Sequence, residues 1–256
     1  MTRLLDDETL ERSPVVANCT MNRERSLTGS NGYGRELGLD VAAELSARAS
    51  ARASARASAR APARWLDLCC GSGRALYEAA ALLGDRAEIV GVDLAGHFAT
   101  PPGPPSSPGS PGSPGSPAPP GSPGPSGPRL VAAALTGAES GWAPQGRFDL
   151  ITSVHGLHYV GDKLGVLARA ASWLTADGLL VASFDARSVR WADGSAAGRR
   201  LTAELRRQGF AYDSSRRRVS LRGRRDVRLP YRYLGADDRA GPNYTGQPAV
   251  HSFYDR

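Results

Sequence analysis

The chain has 256 residues, of which 41% are hydrophobic, and a formal charge of +7. That length supports one large or two small cores, and a Pro/Gly/Ser segment unable to enter a core favours one. Five arginines (48, 52, 56, 60 and 64) fall in residues 46–64 without an acid, so the remainder carries only +2. Lys163 is the only lysine among 32 basic residues. That bias reads as coding composition, because nucleic-acid surfaces mix lysine with arginine and aromatics. Cys19, Cys69 and Cys70 are odd in number and two are adjacent, which gives no disulfide framework and points to a reducing, cytoplasmic setting. No apolar run approaches the ~18 residues of a membrane span, and no apolar leader opens the chain. A soluble protein without a membrane partner is expected.

Residues 1–20 are polar and aperiodic and read as a disordered extension, with translation starting at Met1 or at Met21. Residues 21–62 read as a helical segment. It holds a turn-rich stretch, Gly29 to Gly34, that carries Tyr33, then a helix from Glu36 to Leu45 with Leu37, Val41 and Leu45 on one face. From Ala47 the chain repeats ARAS and closes as ARAP. Nothing larger than alanine is available to dock that repeat, so it reads as a solvated spacer or frayed helix.

Next comes RWLDLCCGSG, residues 64–73: an apolar run holding Asp67, a small-residue turn, and from Arg74 to Leu83 a helical pattern. Strand, glycine turn and helix N-terminus in that order build a site for a charged, nucleoside-like ligand. Gly71 and Gly73 let the backbone approach it closely. A second strand, Glu88 to Val92, leads into Asp93, placed about twenty residues past the turn and suited to a pair of ribose hydroxyls. Asp67 suits an ammonium group and would repel a pyrophosphate, so the ligand indicated is S-adenosylmethionine. Residues 100–128 are almost wholly Pro, Gly and Ser and are expected to be disordered, leaving the second crossover helix short or absent. Strands follow at Arg129–Leu135, Phe148–Val154 and Leu179–Phe184, with helices at Leu164–Leu174 and Leu201–Gln208. Two β-rich runs, Phe210–Leu221 and Val227–Leu234, meet at a Gly223 turn, and the tail 236–256 reads as irregular.

Residues 64–94 resemble the first two strands of the class I S-adenosylmethionine-dependent methyltransferases. RFDLITSVHGLHYV and LTADGLLVASFD resemble the fourth and fifth strands of that family, and the resemblance covers roughly residues 60–235. It implies an α/β, Rossmann-like fold: a seven-stranded, mostly parallel sheet closed by a C-terminal antiparallel hairpin, with helices on both faces. The methyltransferase domain is then 63–235, the two β-rich runs are the closing hairpin, and 21–62 is a lid. Cys69 stands where the family has the first glycine of the turn. The implied cofactor contacts are Asp67, Cys69, Gly71, Gly73, Asp93, Leu94, Leu135, Thr136, Val154 and His155, with adenine beside Leu135 and Thr136. The family often places an acid there for the adenine amino group; Glu139 is a weak substitute.

His155 and His158, just beyond the fourth strand, are the candidate bases, with a structural loop role as the alternative for each. Tyr33 and Asp185 are candidate acceptor contacts, and Asp149 reads as structural. A sulfonium is already an activated electrophile, so a base is needed only for an acceptor that is protonated at working pH. Residues 199–228 carry eleven arginines against three acids and read as a solvated face, because no nucleic-acid module accompanies them. No cluster of His, Cys and carboxylate has metal-ligand spacing. The expected function is methyl transfer to an O, N or C atom of a small molecule. An RNA methyltransferase and a catalytically weak cofactor-binding interaction protein are the alternatives. A NAD-dependent oxidoreductase is disfavoured, since Leu76 stands where its third glycine belongs.

Overall fold

The computed structural model describes residues 3–17, 24–55, 61–99, 127–136 and 141–256. Its main sheet is built on β1 (Ala63–Leu68), flanked by β2 (Ala87–Asp93) and β4 (Phe148–Ser153), with β3 (Arg129–Ala132) and β5 (Leu174–Ser183) outside them. All five run parallel; β8 (Arg218–Arg222) then pairs antiparallel with β5, and β7 (Ala211–Asp213) antiparallel with β8. The seven-stranded order is β3-β2-β1-β4-β5-β8-β7. Successive β1 residues face opposite clusters, Trp65 with α3 (Val41–Ala55) and α4 (Arg74–Leu83), Leu66 with α5 (Lys163–Ser172) and α6 (Gly198–Arg207). A parallel sheet covered on both faces explains why β4 is buried along its whole length.

The closing hairpin is drawn from a shorter stretch than expected. Both strands lie within the first β-rich run, because Asp213 Oδ1 accepts from the backbone N–H of Ser215 and of Arg216 at 3.0 Å each. That local turn at residues 214–217, completed by Arg217 at φ 47°, reverses the chain six to nine residues before the Gly223 turn expected. The second run instead supplies β9 (Arg232–Asp237), which joins β6 (Val189–Trp191) and β10 (His251–Asp255) in a separate three-stranded sheet of order β6-β10-β9. The tail expected to be irregular thus contributes the central strand of that sheet. Lys163 locks it in place: its buried Nζ donates to the carbonyls of Val160 and Val250 and to Ser252 Oγ at 2.8–2.9 Å. Three acceptors match the three donors of an ammonium, a geometry that arginine's planar fork does not offer.

The N-terminal stretch also departs from expectation. Residues 3–17 are ordered against the small sheet, with α1 (Asp7–Glu11) capped by Asp6. Leu5 and Ala236 exchange backbone hydrogen bonds, and Leu10 and Val16 bury themselves against Ala236 and Val250. A single apolar face two residues wide leaves no periodicity to read. The helix expected over Glu36–Leu45 is two: α2 (Tyr33–Leu37) ends at Gly38, φ 63°, and α3 starts afresh after Asp40, which accepts from Ala43 N–H. The ARAS repeat continues α3, and its arginines tie it down: Arg52 bonds Asp149 and the Pro62 carbonyl, and Arg48 bonds Glu44 and the Asp177 carbonyl. Among the described residues the β2–β3 crossover holds no helix; residues 100–126 of the Pro/Gly/Ser insert, Cys19, Met21 and Glu139 lie outside the described residues. No helix among the described residues is long and apolar enough to cross a membrane.

Candidate active site

A cavity of about 1020 Å3, including its open mouth, lies at the carboxyl ends of β1, β2 and β4. The glycine turn forms its floor. Gly71 (φ 60°) and Gly73 (φ 76°) are left-handed, and so is Cys69 at φ 58°. The turn therefore keeps the conformation its glycines require although a cysteine stands at its first position, at a cost of about 1–2 kcal/mol. Asp93 at the end of β2 closes the turn, Oδ2 accepting from Gly71 N–H at 2.9 Å and Oδ1 from Ala95 N–H at 3.0 Å. Beyond it the wall is apolar, formed by Leu94, Leu135 and the flank of Thr136. Gly73 lies behind the turn, where a Cβ would meet Leu130 Cδ1 at 2.7 Å.

Asp67 does not line the cavity. It is fully buried, its Oδ2 accepting from the Tyr33 hydroxyl at 2.6 Å and its Oδ1 from Thr152 Oγ1, which in turn accepts from Trp65 Nε1 at 2.8 Å. Burial pushes its carboxyl up to about 7. Tyr33 is the residue that faces the cavity, so any attraction of Asp67 for an ammonium group passes through the tyrosine hydroxyl. Tyr33 is also fixed edge-on against Trp65, ring centres 5.9 Å apart.

At the mouth, Val154 and His155 follow β4, with His155 at φ 59°. Two non-glycine residues in the left-handed region at one cavity mark a strained site. The His155 Nε2 lies 2.9 Å from Glu36 Oε2, and its Nδ1 lies 3.4 Å from the Tyr244 hydroxyl. Burial, aided by nearby Arg25, holds the imidazole below its ordinary pKa despite Glu36. In the tautomer whose Nε2–H donates to Glu36, the Nδ1 lone pair is the proton acceptor. His158 sits behind it and does not line the cavity, its ring tilted against His155 at 5.5 Å and edge-on to Tyr244 at 5.3 Å. Burial drives its pKa down to about 3. Asp185 is likewise set back: it caps the turn at Arg187 N–H and pairs at 3.8 Å with Arg217, whose guanidinium covers the Tyr244 ring.

The remaining walls come from parts of the chain that carried no local signal: Leu10, Glu11 and Val16 around α1, Tyr159–Gly161, and Thr245 and Gln247 of the C-terminal loop. Only Glu36 was within reach of sequence reasoning. It lies three residues after Tyr33, so one short helix presents both side chains on one face. Among the described residues no group of three or more His, Cys, Asp or Glu side chains is arranged to hold a metal ion.

A cavity of this kind, at the carboxyl ends of parallel strands with an acid at one strand end and a left-handed turn at another, suits a nucleoside-like ligand. A family model described as a methyltransferase domain matches residues 40–226, and the chain belongs to that family, the class I S-adenosylmethionine-dependent methyltransferases. Similar solved structures include an S-adenosylmethionine-bound amino pentose methyltransferase of calicheamicin biosynthesis from Micromonospora echinaspora, 22% identical over 58% of this chain and 52% of that one, with a TM-score of 0.31. Another is magnesium protoporphyrin IX methyltransferase from Synechocystis PCC 6803, 15% identical over 87% and 100% of the two chains, with a TM-score of 0.42. The present chain spans about half the length of the first of these. No curated protein matches the sequence.

The family's cofactor is S-adenosylmethionine, and the cavity fits it. Asp93 suits the ribose, the Leu94–Leu135 wall suits a flat base, and the left-handed backbone at Cys69 and Gly71 opens the floor. Gly156 keeps the mouth clear, since a Cβ there would lie 2.2 Å from Cys69 Cβ.

Proposed function

We propose that this protein transfers a methyl group from S-adenosylmethionine to an oxygen, nitrogen or carbon atom of a small molecule. The observation that carries this reading is the His155–Glu36 pair at the mouth of the cavity, 2.9 Å from Nε2 to Oε2. When bound, the cofactor supplies a methyl group already activated by the sulfonium charge. Asp93 holds the ribose, and Tyr33, backed by Asp67, faces the amino-acid end. His155 takes the acceptor's proton at Nδ1, where the Tyr244 hydroxyl now sits, and Glu36 stabilises the imidazolium that forms. Such a base contributes about 10²–10⁴ in rate. The α1 segment and the C-terminal loop line the cavity alongside the sheet, which supports a small acceptor over a folded RNA.

Incubating the protein with isotopically labelled S-adenosylmethionine and a cell extract, split into small-molecule and RNA fractions, tests the reading. Label is expected in the small-molecule fraction, and less of it by two orders of magnitude or more for His155→Ala. Label confined to RNA would move the acceptor class, and no binding of the demethylated cofactor at millimolar concentration would overturn the methyltransferase reading.

A further inference from the structure

The C-terminal loop carries a phenol to the candidate base. Residues 241–249 close on themselves: Ala249 N–H donates to the Gly241 carbonyl at 3.2 Å, Asn243 N–H to the Gln247 carbonyl at 2.7 Å, and Gly246 N–H to the Asn243 carbonyl at 3.0 Å. Asn243 Oδ1 also accepts from Thr245 N–H at 2.7 Å. Backbone bonds and an asparagine turn therefore hold the loop, and nothing in that turn asks for an aromatic at position 244. The Tyr244 side chain is also 40% exposed, so burial does not account for it.

What the ring meets is the mouth of the site. Its hydroxyl lies 3.4 Å from His155 Nδ1, the nitrogen assigned to the acceptor's proton. The His158 ring stands edge-on to it at 5.3 Å, and the Arg217 guanidinium covers its face, 4.1 Å from the ring centre. His155 and the next loop residue, Thr245, line the cavity, so the phenol stands at its edge.

We infer that Tyr244 occupies the acceptor subsite as a stand-in for the substrate, and that the acceptor is an aromatic hydroxyl that displaces it. The inference rests on the proposed methyl transfer. Burial and Glu36 push the Tyr244 hydroxyl up to about 12 against the pull of Arg217, so a phenol placed here needs a base. Its proton passes to His155 Nδ1 and its oxygen bonds the methyl carbon. The carbon–sulfur bond breaks, and its electron pair turns the sulfonium into a thioether. A guanidinium over the ring favours this acceptor, since it attracts an electron-rich ring. An amine would instead leave its new positive charge beside Arg217.

Transfer of isotopic label from S-adenosylmethionine to p-cresol, the tyrosine side chain as a free molecule, tests this, with p-toluidine as the matched amine. Tyr244→Ala vacates the subsite and removes a tethered competitor, so labelled p-methylanisole should form with kcat/KM at least about tenfold above the parent. Tyr244→Phe keeps a tethered ring in place and should stay within about threefold of the parent. In Tyr244→Ala the amine should be labelled at least about tenfold more slowly than p-cresol. Circular dichroism and calorimetric titration with S-adenosylhomocysteine confirm the fold and the cofactor site of each variant. A Tyr244→Ala protein that binds S-adenosylhomocysteine like the parent, yet leaves p-cresol unlabelled or labels the amine as fast, overturns this assignment alone. A parent that does not bind S-adenosylhomocysteine overturns the methyltransferase reading and the assignment with it.

Discussion

Removing the Arg52 side chain tests whether the ARAS repeat is filler or part of the structure. Asp149 is 2% exposed at its side chain and receives the Arg52 guanidinium, Arg64 N–H at 2.7 Å and Thr175 Oγ1 at 3.3 Å. Truncating one partner of a buried ion pair costs about 3–5 kcal/mol, because the other charge is left unpaired. Two donors remain on Asp149, and Arg52 is itself 31% exposed, so water can reach the gap; about half of that cost survives. The lost bond to the Pro62 carbonyl adds about 0.5–1 kcal/mol, and the change to alanine returns a few tenths through helix propensity. Arg52→Ala should therefore destabilise by about 2–3 kcal/mol in urea denaturation followed by circular dichroism, with an unchanged m-value. A double-mutant cycle with Asp149→Asn should give a coupling of at least about 1 kcal/mol. Arg48→Ala, whose distant partner acid Asp177 is 84% exposed, should cost no more than about 1 kcal/mol. If Arg52→Ala lay within about 0.5 kcal/mol of the parent, the repeat would be the spacer its composition suggests and the reasoning from Asp149 burial would fail.

Cys69→Gly should stabilise by about 0.5–1 kcal/mol, the relieved left-handed strain less the extra freedom of glycine in the unfolded chain. Gly156→Ala should cost more than about 2 kcal/mol and recover part of it when combined with Cys69→Gly, as read from urea midpoints; additive effects would place the clash elsewhere. The folded-state pKa of Asp67, raised by burial to about 7, makes its contribution fully present below about pH 4 and lost as pH rises through 7. The parent should accordingly lose stability relative to Asp67→Asn between pH 4.5 and pH 7.5, by an amount on the order of a few kcal/mol. Parallel pH profiles would show that this carboxyl titrates normally. Asp93→Ala should weaken binding of S-adenosylhomocysteine by about 1.5–3 kcal/mol in calorimetry, and parent-like affinity would move the ribose elsewhere.

What the sequence disclosed was whatever is decided locally. The run from Arg64 to Leu83 showed its strand, turn and helix because each is specified by neighbours a few residues apart, and α4 spans the stretch expected. Asp93, Val154 and His155 follow from the same logic at strand ends. The small sheet stayed hidden because β9 and β10 are too short to show alternation and pair through a long loop. Asp67 shows the limit on chemistry: its residue type pointed to the ligand, yet Tyr33 and Thr152 bond both its oxygens from other elements. Pairings of that kind leave no trace in spacing. The same holds for Glu36 against His155 and for Glu11 against Thr136.

The docking of α1 on the small sheet bears on how the protein is made. Its seat consists of Ala236 and Val250, and Val250 is held by Lys163 beside the central strand β10. During synthesis the early segment has nothing to settle on until residues near 250 have emerged. The parallel strands β1 to β5 are complete well before that. Contacts so distant in sequence form slowly, since loop closure precedes any gain from them. The ligand pocket is thus the last part of the fold to take shape, and a ribosome-bound chain halted before β10 would carry the sheet without a finished roof.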